Sequence, residues 1–184
     1  MITVNAHPFK HRAPAPPVAL ALALLTLAGC QMQNVQQGPK LDRSARWTLL
    51  PVLNNTEVPR AGERVESILG TLLRARGLDN LAAYAAPSDD AGLPELDERR
   101  RYEAAMSRAR KEGYTYGVGG SVEEWRYRNG VDGEPAVGVT VQVVELATGK
   151  VVWSASGSRS GWGREVLSGT AQQLLSSMLK EMKF

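Results

Sequence analysis

Val137-Gly138-Val139-Thr140-Val141-Gln142-Val143 is the stretch from which the fold of this chain is read. Every odd position is valine and every even position is small or polar, the two-residue period of a strand with one buried face. After Val143 the apolar positions become Val144 and Leu146 with Glu145 between them, which predicts a bulge or a turn of the strand about its axis. Ala147-Thr148-Gly149-Lys150 then reads as a turn. The chain returns as Val151-Val152-Trp153-Ser154-Ala155-Ser156, with Val151, Trp153 and Ala155 on one face and serines on the other. Ala136 to Ser158 is therefore an antiparallel hairpin, and the remaining elements are placed around it.

Upstream, Trp47-Thr48-Leu49-Leu50-Pro51-Val52 is apolar almost throughout, as a strand buried on both faces would be, although Pro51 cannot donate to a ladder. From Ala61, the residues Val65, Ile68, Leu69, Leu72 and Leu73 recur at helical spacing, and Gly77 is placed to end that helix. Leu81 to Tyr84 predicts a short strand, and Pro87 to Pro94 carries turn signals throughout. A second helix is predicted from Pro94 to Glu112, with Tyr102, Ala105, Met106 and Ala109 on its apolar side, ended by Gly113. Tyr114 to Tyr127 is a further strand, linked to the hairpin by residues 129–135. After the hairpin, Gly157 to Gly163 reads as a flexible segment. A last helix follows from Ser168, its N-cap, to Lys183, with Ala171, Leu174, Leu175, Met178, Leu179 and Met182 in one stripe. The order β-α-β-α-β-β-β-α predicts a single α/β domain with a mixed sheet over residues 45–184.

The first 29 residues have the layout of an export signal. Lys10 and Arg12 precede Val18 to Gly29, an apolar run too short to span a bilayer as a helix. The run ends in Leu27-Ala28-Gly29-Cys30, which resembles the lipobox of bacterial lipoproteins, where cleavage precedes a cysteine that then carries acyl chains. The alternative is an ordinary signal peptide with a cysteine nearby. Cys30 is the only cysteine, so it has no intramolecular disulfide partner. Gln31 rather than aspartate follows it, which favours the outer membrane where the aspartate rule applies. Residues 30–44 hold no apolar periodicity and read as a lipid anchor with a polar tether. Fully extended, that tether reaches only about 50 Å at ~3.3–3.6 Å per residue, enough to hold a domain close to its membrane.

Removing the signal leaves 20 basic residues against 19 acidic ones, a balance that gives no footprint for nucleic acid. His7 and His11 also leave with it. The chain from Cys30 onward then has no histidine and no free thiol, which excludes the Ser-His and Cys-His nucleophile systems and the usual His/Cys zinc sites. Gly117-Val118-Gly119-Gly120 lacks the third glycine of a phosphate loop, because that position is Val122. Asn129, Asp132 and Glu134 do not fit a calcium loop and read as a turn. Glu123 and Glu124 are adjacent on a strand and point to opposite faces, which makes them poor acid-base partners. No catalytic residue, metal site or cofactor is expected, and the protein reads as a non-enzyme.

Trp47, Trp125 and Trp153 lie on predicted strands and read as core. Trp162 stands between Gly161 and Gly163. It either folds back onto its own sheet or serves as a membrane or subunit anchor, a role suited to an indole with one polar edge.

Trp47 to Val52 followed by Asn54-Asn55-Thr56, Glu123-Glu124-Trp125-Arg126-Tyr127, Gly130 to Val139, Val152-Trp153-Ser154-Ala155 and Arg159-Ser160-Gly161-Trp162 together resemble the PelC family. These are outer-membrane lipoproteins of the Pel exopolysaccharide export system. The hairpin alone is similar in style to a wider set of periplasmic lipoproteins that includes CsgG and LpoB. The resemblance implies a homo-oligomeric ring on the periplasmic face of the outer membrane, working with the β-barrel exporter PelB and guiding a cationic polysaccharide. On that reading Asp89, Asp90, Glu95, Asp97 and Glu98 are candidates for the surface that meets the polymer, offset in part by Arg99, Arg100 and Arg101. The alternative is a lipoprotein activator of a cell-wall synthase, as in LpoB.

Replacing Cys30 by serine is expected to release the protein from the membrane fraction, because stable anchoring needs more than one acyl chain at about 0.8 kcal/mol per buried methylene. Fractionation with intact-mass measurement checks this. A membrane-bound Cys30→Ser variant, together with wild type that gains no acyl mass, contradicts it.

Overall fold

The computed structural model describes residues 31–36, 38–83, 94–128, 133–162 and 165–184. The elements are β1 (Gln31–Gln36), β2 (Trp47–Asn54), α1 (Ala61–Ala75), β3 (Ala82–Ala83), α2 (Pro94–Lys111), β4 (Tyr116–Tyr127), β5 (Pro135–Glu145), β6 (Lys150–Ser160) and α3 (Leu167–Lys180). They build a six-stranded sheet in the order β1-β6-β5-β4-β2-β3. β2 runs parallel to β3 and β4, and the pairs β4/β5, β5/β6 and β6/β1 are antiparallel. The mixed α/β fold read from the sequence is the fold observed, with one strand added at its front.

The valine row directs the packing. Val137, Val139, Val141 and Val143 are all at most 1% exposed, and the burial of each contributes on the order of 1.5–3 kcal/mol. They form one core with Trp47, Val118, Val122, Trp125, Trp153 and Ala155 of the sheet. Val65, Leu69 and Leu73 of α1 and Leu174, Leu175, Met178 and Leu179 of α3 close it. The parity change after Val143 is a register shift against β6. On the opposite face, α2 packs only at the β2 side, where Leu50, Ala105, Ala109, Val144 and Leu146 are buried apart from the main core. Gly117 lets that layer close, since a Cβ there would lie 2.6 Å from Leu50 Cδ1.

Helix ends follow their sequence signals in two cases. Gly77, at φ +87°, donates to Arg74 O while Leu78 donates to Leu73 O, and Gly113, at φ +73°, ends α2 in the same way. Ser168 is not the N-cap of α3. The helix starts after Val166 in extended backbone, without a side-chain cap, and the buried Thr170 hydroxyl donates to the Val166 carbonyl instead.

The polar stretch read as a tether is in part a strand. β1 pairs along its whole length with β6, from Gln31 opposite Arg159 to Gln36 opposite Ser154. Its sequence hides this because only Val35 reaches the core, while Gln33 accepts a hydrogen bond from Ser177 of α3 and Gln36 accepts one from Ser154. The segment from Gly157 to Ser160, expected to be flexible, is held between β1 and β5 as the end of β6. Gly157 makes room for this crossing, since a Cβ there would sit 2.9 Å from the Met32 carbonyl oxygen and 3.2 Å from Leu174.

Pro51 in β2 is accommodated by side-chain acceptors. The pairing with β4 shifts between Leu49 and Val52, and Val52 N–H donates to Glu66 of α1 at 2.9 Å while Asn54 N–H donates to Glu98 of α2 at 2.6 Å. Arg101 of α2 completes the clamp with a 2.8 Å ion pair to Glu66. Burial raises the Glu66 pKa above the usual carboxylate value, against the opposing effects of the Val52 N–H and Arg101. The folded state therefore holds a proton that the unfolded chain has already released just above pH 4.5, and this residue's contribution to stability falls as pH rises through that window. Glu66→Ala is expected to cost about 2–3 kcal/mol, because it strands both Val52 N–H and Arg101, and Glu66→Gln, which keeps an acceptor for Val52, about 1 kcal/mol. Urea unfolding of both variants checks the ordering, and equal costs contradict the role given to the Val52 bond.

Candidate functional site

Strand pairing gathers the distinctive residues at one end of the sheet. Gln31 lies opposite Arg159, Ala136 opposite Ser160 and Tyr127 opposite Pro135, and Gly161 N–H continues the ladder to the Pro135 carbonyl at 2.8 Å. The chain then leaves β6 through a tight point. A Cβ on Gly161 would meet Glu165, Pro135 and Thr170 side-chain atoms at 2.6 to 2.8 Å, so glycine is required for so close an approach. Trp162 follows and points out, 57% exposed, with its carbonyl accepting from Glu165 N–H. Trp162 is thus not folded back onto the sheet.

Met32, Tyr127 and Val166 are also large apolar side chains left exposed, at 79%, 49% and 58%. All three lie at the Trp162 end. Among the described residues the remaining exposed side chain of this kind, Val151, lies at the other end beside the hairpin turn. Scattered exposed apolar residues are ordinary, and Met32, Tyr127, Trp162 and Val166 share one end of the sheet. Arg126 and Arg128 stand beside Tyr127 and share the Glu124 carboxylate at 3.0 and 3.4 Å. Tyr127 was within reach of sequence reasoning, since it ends a strand opposite a proline. Met32 and Val166 were not, because their exposure depends on β1 being a strand and on where α3 begins.

Cys30 lies outside the described residues. Gln31, the residue that follows it in the sequence, begins β1 opposite Arg159, at the same end of the sheet as Trp162. Of the five acidic candidates only Glu98 has a described side chain. Asp89 and Asp90 lie outside the described residues, Glu95 and Asp97 fall in the first turn of α2 with side chains also outside them, and the Glu98 carboxylate is engaged by Asn54 N–H.

A groove of about 960 Å³ crosses the sheet face that α2 leaves open, lined by Asn34, Glu57, Glu123, Glu124, Ser156 and Ser158 among others. The Glu123 carboxylate accepts from Asn55 Nδ2 at 3.0 Å and Ser121 Oγ at 2.5 Å. Strand alternation placed Glu123 and Glu124 on opposite faces, but the register shift between Val122 and Glu124 brings both to the wall of this groove. Among the described residues no cluster of side chains suits a metal ion, and no helix is long and apolar enough to cross a membrane.

No family model matches the chain, and no curated protein sequence matches it. Solved structures do. A PelC dodecamer from Paraburkholderia phytofirmans is 36% identical, with 84% of this chain and 98% of that chain covered at a TM-score of 0.69. A single-substitution variant of that dodecamer is 37% identical, over 83% and 99% of the two chains, at a TM-score of 0.68. Lipoprotein GNA1162 from Neisseria meningitidis, 17% identical over 74% and 96% at a TM-score of 0.50, shares the fold. At more than a third identity over nearly the whole of a PelC chain, this chain belongs to the PelC family.

Proposed function

We propose that this protein is an outer-membrane lipoprotein that forms a ring on the periplasmic face of that membrane. There it assists export of a cationic exopolysaccharide through a partner β-barrel of the PelB kind. Family membership supports the ring and the export system, since the relatives covering most of this chain are PelC dodecamers. One structural observation carries the orientation. β1 pairs with β6 so that the residue after Cys30 emerges at the sheet end bearing Trp162, Tyr127 and Val166.

Acyl chains on Cys30 draw that end to the bilayer, and Trp162 and Tyr127 then sit at the headgroup level, where an amphipathic ring has its apolar body and its polar edge both satisfied. The anchor works without a long tether, because β1 occupies the segment that would otherwise swing. Asp89, Asp90, Glu95 and Asp97 remain the candidates for attracting the polymer at long range, over a Debye length of ~8 Å at physiological salt. Glu98 serves the clamp on β2 instead. The chain itself performs no chemistry on the polymer in this reading.

Trp162→Ala is expected to reduce polymer export several-fold while leaving lipidation intact and stability within about 0.5 kcal/mol, as for an exposed side chain away from the core. Secreted polymer, measured beside a thermal melt and an acyl-mass check, tests this. Normal export in a folded, lipidated variant contradicts the assignment of Trp162.

A further inference from the structure

The two sides of this sheet differ in a way that the single chain leaves unexplained. Among the described residues, α1 and α3 cover one face across its width, whereas α2 lies against β2 and leaves β5, β6 and β1 bare on the other. The bare side is identified by its own contacts: Thr140 Oγ1 donates to Ser156 Oγ at 3.2 Å and Ser154 Oγ to Gln36 Oε1 at 3.1 Å. Its residues are Gly138, Thr140 and Gln142 of β5, Ser154, Ser156 and Ser158 of β6, and Asn34 and Gln36 of β1. Met32 shares this side, and none of these residues of β5, β6 and β1 is charged; the charges of the groove over them, Glu57, Glu123, Glu124 and Arg126, come from β4 and the segment after β2. Strands meant for water ordinarily carry lysine and glutamate, and their absence from these three is the compositional mark of a surface that becomes covered.

The same signal appears on the far side of the molecule. The outward surface of α3 is Ser168, Gly169, Gln172, Gln173 and Ser176, with Lys180 in the last turn as its only charge. The solvent side of α1 instead carries Glu63, Arg64 and Arg74, and that of α2 carries Arg99, Arg100, Arg108 and Lys111. α3 packs its inner side on the covered face, where Ser177 reaches Gln33, so its outer side and the bare strands look in opposite directions.

A closed ring of identical subunits in head-to-tail contact needs two different patches on each subunit, placed on opposite sides. We infer that these are the two patches: the outer face of α3 of one copy lies across the bare β5-β6-β1 face of the next. The inference rests on the ring in the proposed function and assigns its interface. Dimensions agree, since the 14 residues of α3 span about 21 Å and the six residues of β1 about 20 Å. The docked helix lies beside α2 and completes the second helical layer that each subunit lacks alone, so every sheet in the ring has helices on both faces. Serine, glycine and glutamine suit the contact, because small side chains admit a helix close to the strands and amides and hydroxyls pair across it.

The test is disulfide cross-linking of the full-length lipidated protein in membranes, with Ser156→Cys and Gln172→Cys in one chain. Acylated Cys30 leaves no competing thiol. The double variant is expected to give a ladder of covalent multimers on oxidation, and each single variant none. Ser156→Arg is expected to dissociate the assembly at least tenfold more readily in sedimentation, with partial recovery on adding Gln172→Glu. A stable oligomer that neither cross-links through this pair nor responds to Ser156→Arg overturns the inference while the ring stands, and it leaves the bare face to the polymer. Wild-type protein that sediments as a monomer at every concentration overturns the ring itself, and the interface with it.

Discussion

Burial of one valine row fixes this molecule. Val137, Val139, Val141 and Val143 are sealed under α1 and α3, and a slip of one residue in the pairing of β5 would turn all four to the opposite face. Register is therefore locked on both sides of β5. Tyr127 is set opposite Pro135 and Ser160 opposite Ala136, and β6 in turn places Gln31 opposite Arg159. The gathering of Trp162, Tyr127 and the start of β1 at one end of the sheet is a consequence of that lock. The exposed Arg126 and Arg128 pairs with Glu124 are each worth about 1 kcal/mol or less.

Strong periodicity made most of the fold legible. The hairpin, its bulge after Val143, α1 with its glycine cap and the apolar stripe of α3 all follow from residue spacing, because each buries a stripe or an alternating face. β1 was not legible for the same reason. Gln31 to Gln36 buries little beyond Val35, and its place is decided by hydrogen bonds to a free strand edge and by Gln33 and Gln36, contacts made across the fold. Pro51 looked like a breach in a buried strand. It is matched by carboxylates of two helices far along the chain, a solution that local sequence does not display. The glycines flanking Trp162 singled it out but left open whether it folds back onto the sheet, and its exposure, like that of Val166, is decided by the pairing of the strands and the start of α3.

The molecule has two polarities. Along the strands, one end gathers the start of β1 and exposed aromatic and aliphatic side chains, while the other holds the hairpin turn around Gly149. Across the sheet, one face is closed by two helices and, among the described residues, the other is half open. In the proposed function the first polarity orients a subunit relative to a bilayer, and in the inferred interface the second lets identical subunits stack front to back around an axis. A chain with both suits the proposed ring of fixed orientation without a flexible tether.

The central claim is that β1 couples the lipid anchor rigidly to the Trp162 end of the sheet. Nitroxide labels at Tyr127→Cys and, separately, Thr148→Cys on the lipidated protein in bilayers measure this directly through their accessibility to a water-soluble relaxation agent. The account predicts that the label at 127 lies at headgroup depth and is shielded, while the label at 148, the length of an 11-residue strand away at roughly 3.3 Å per residue, is fully in water. Equal, full accessibility at both positions would show a domain swinging free on a tether and would contradict the account.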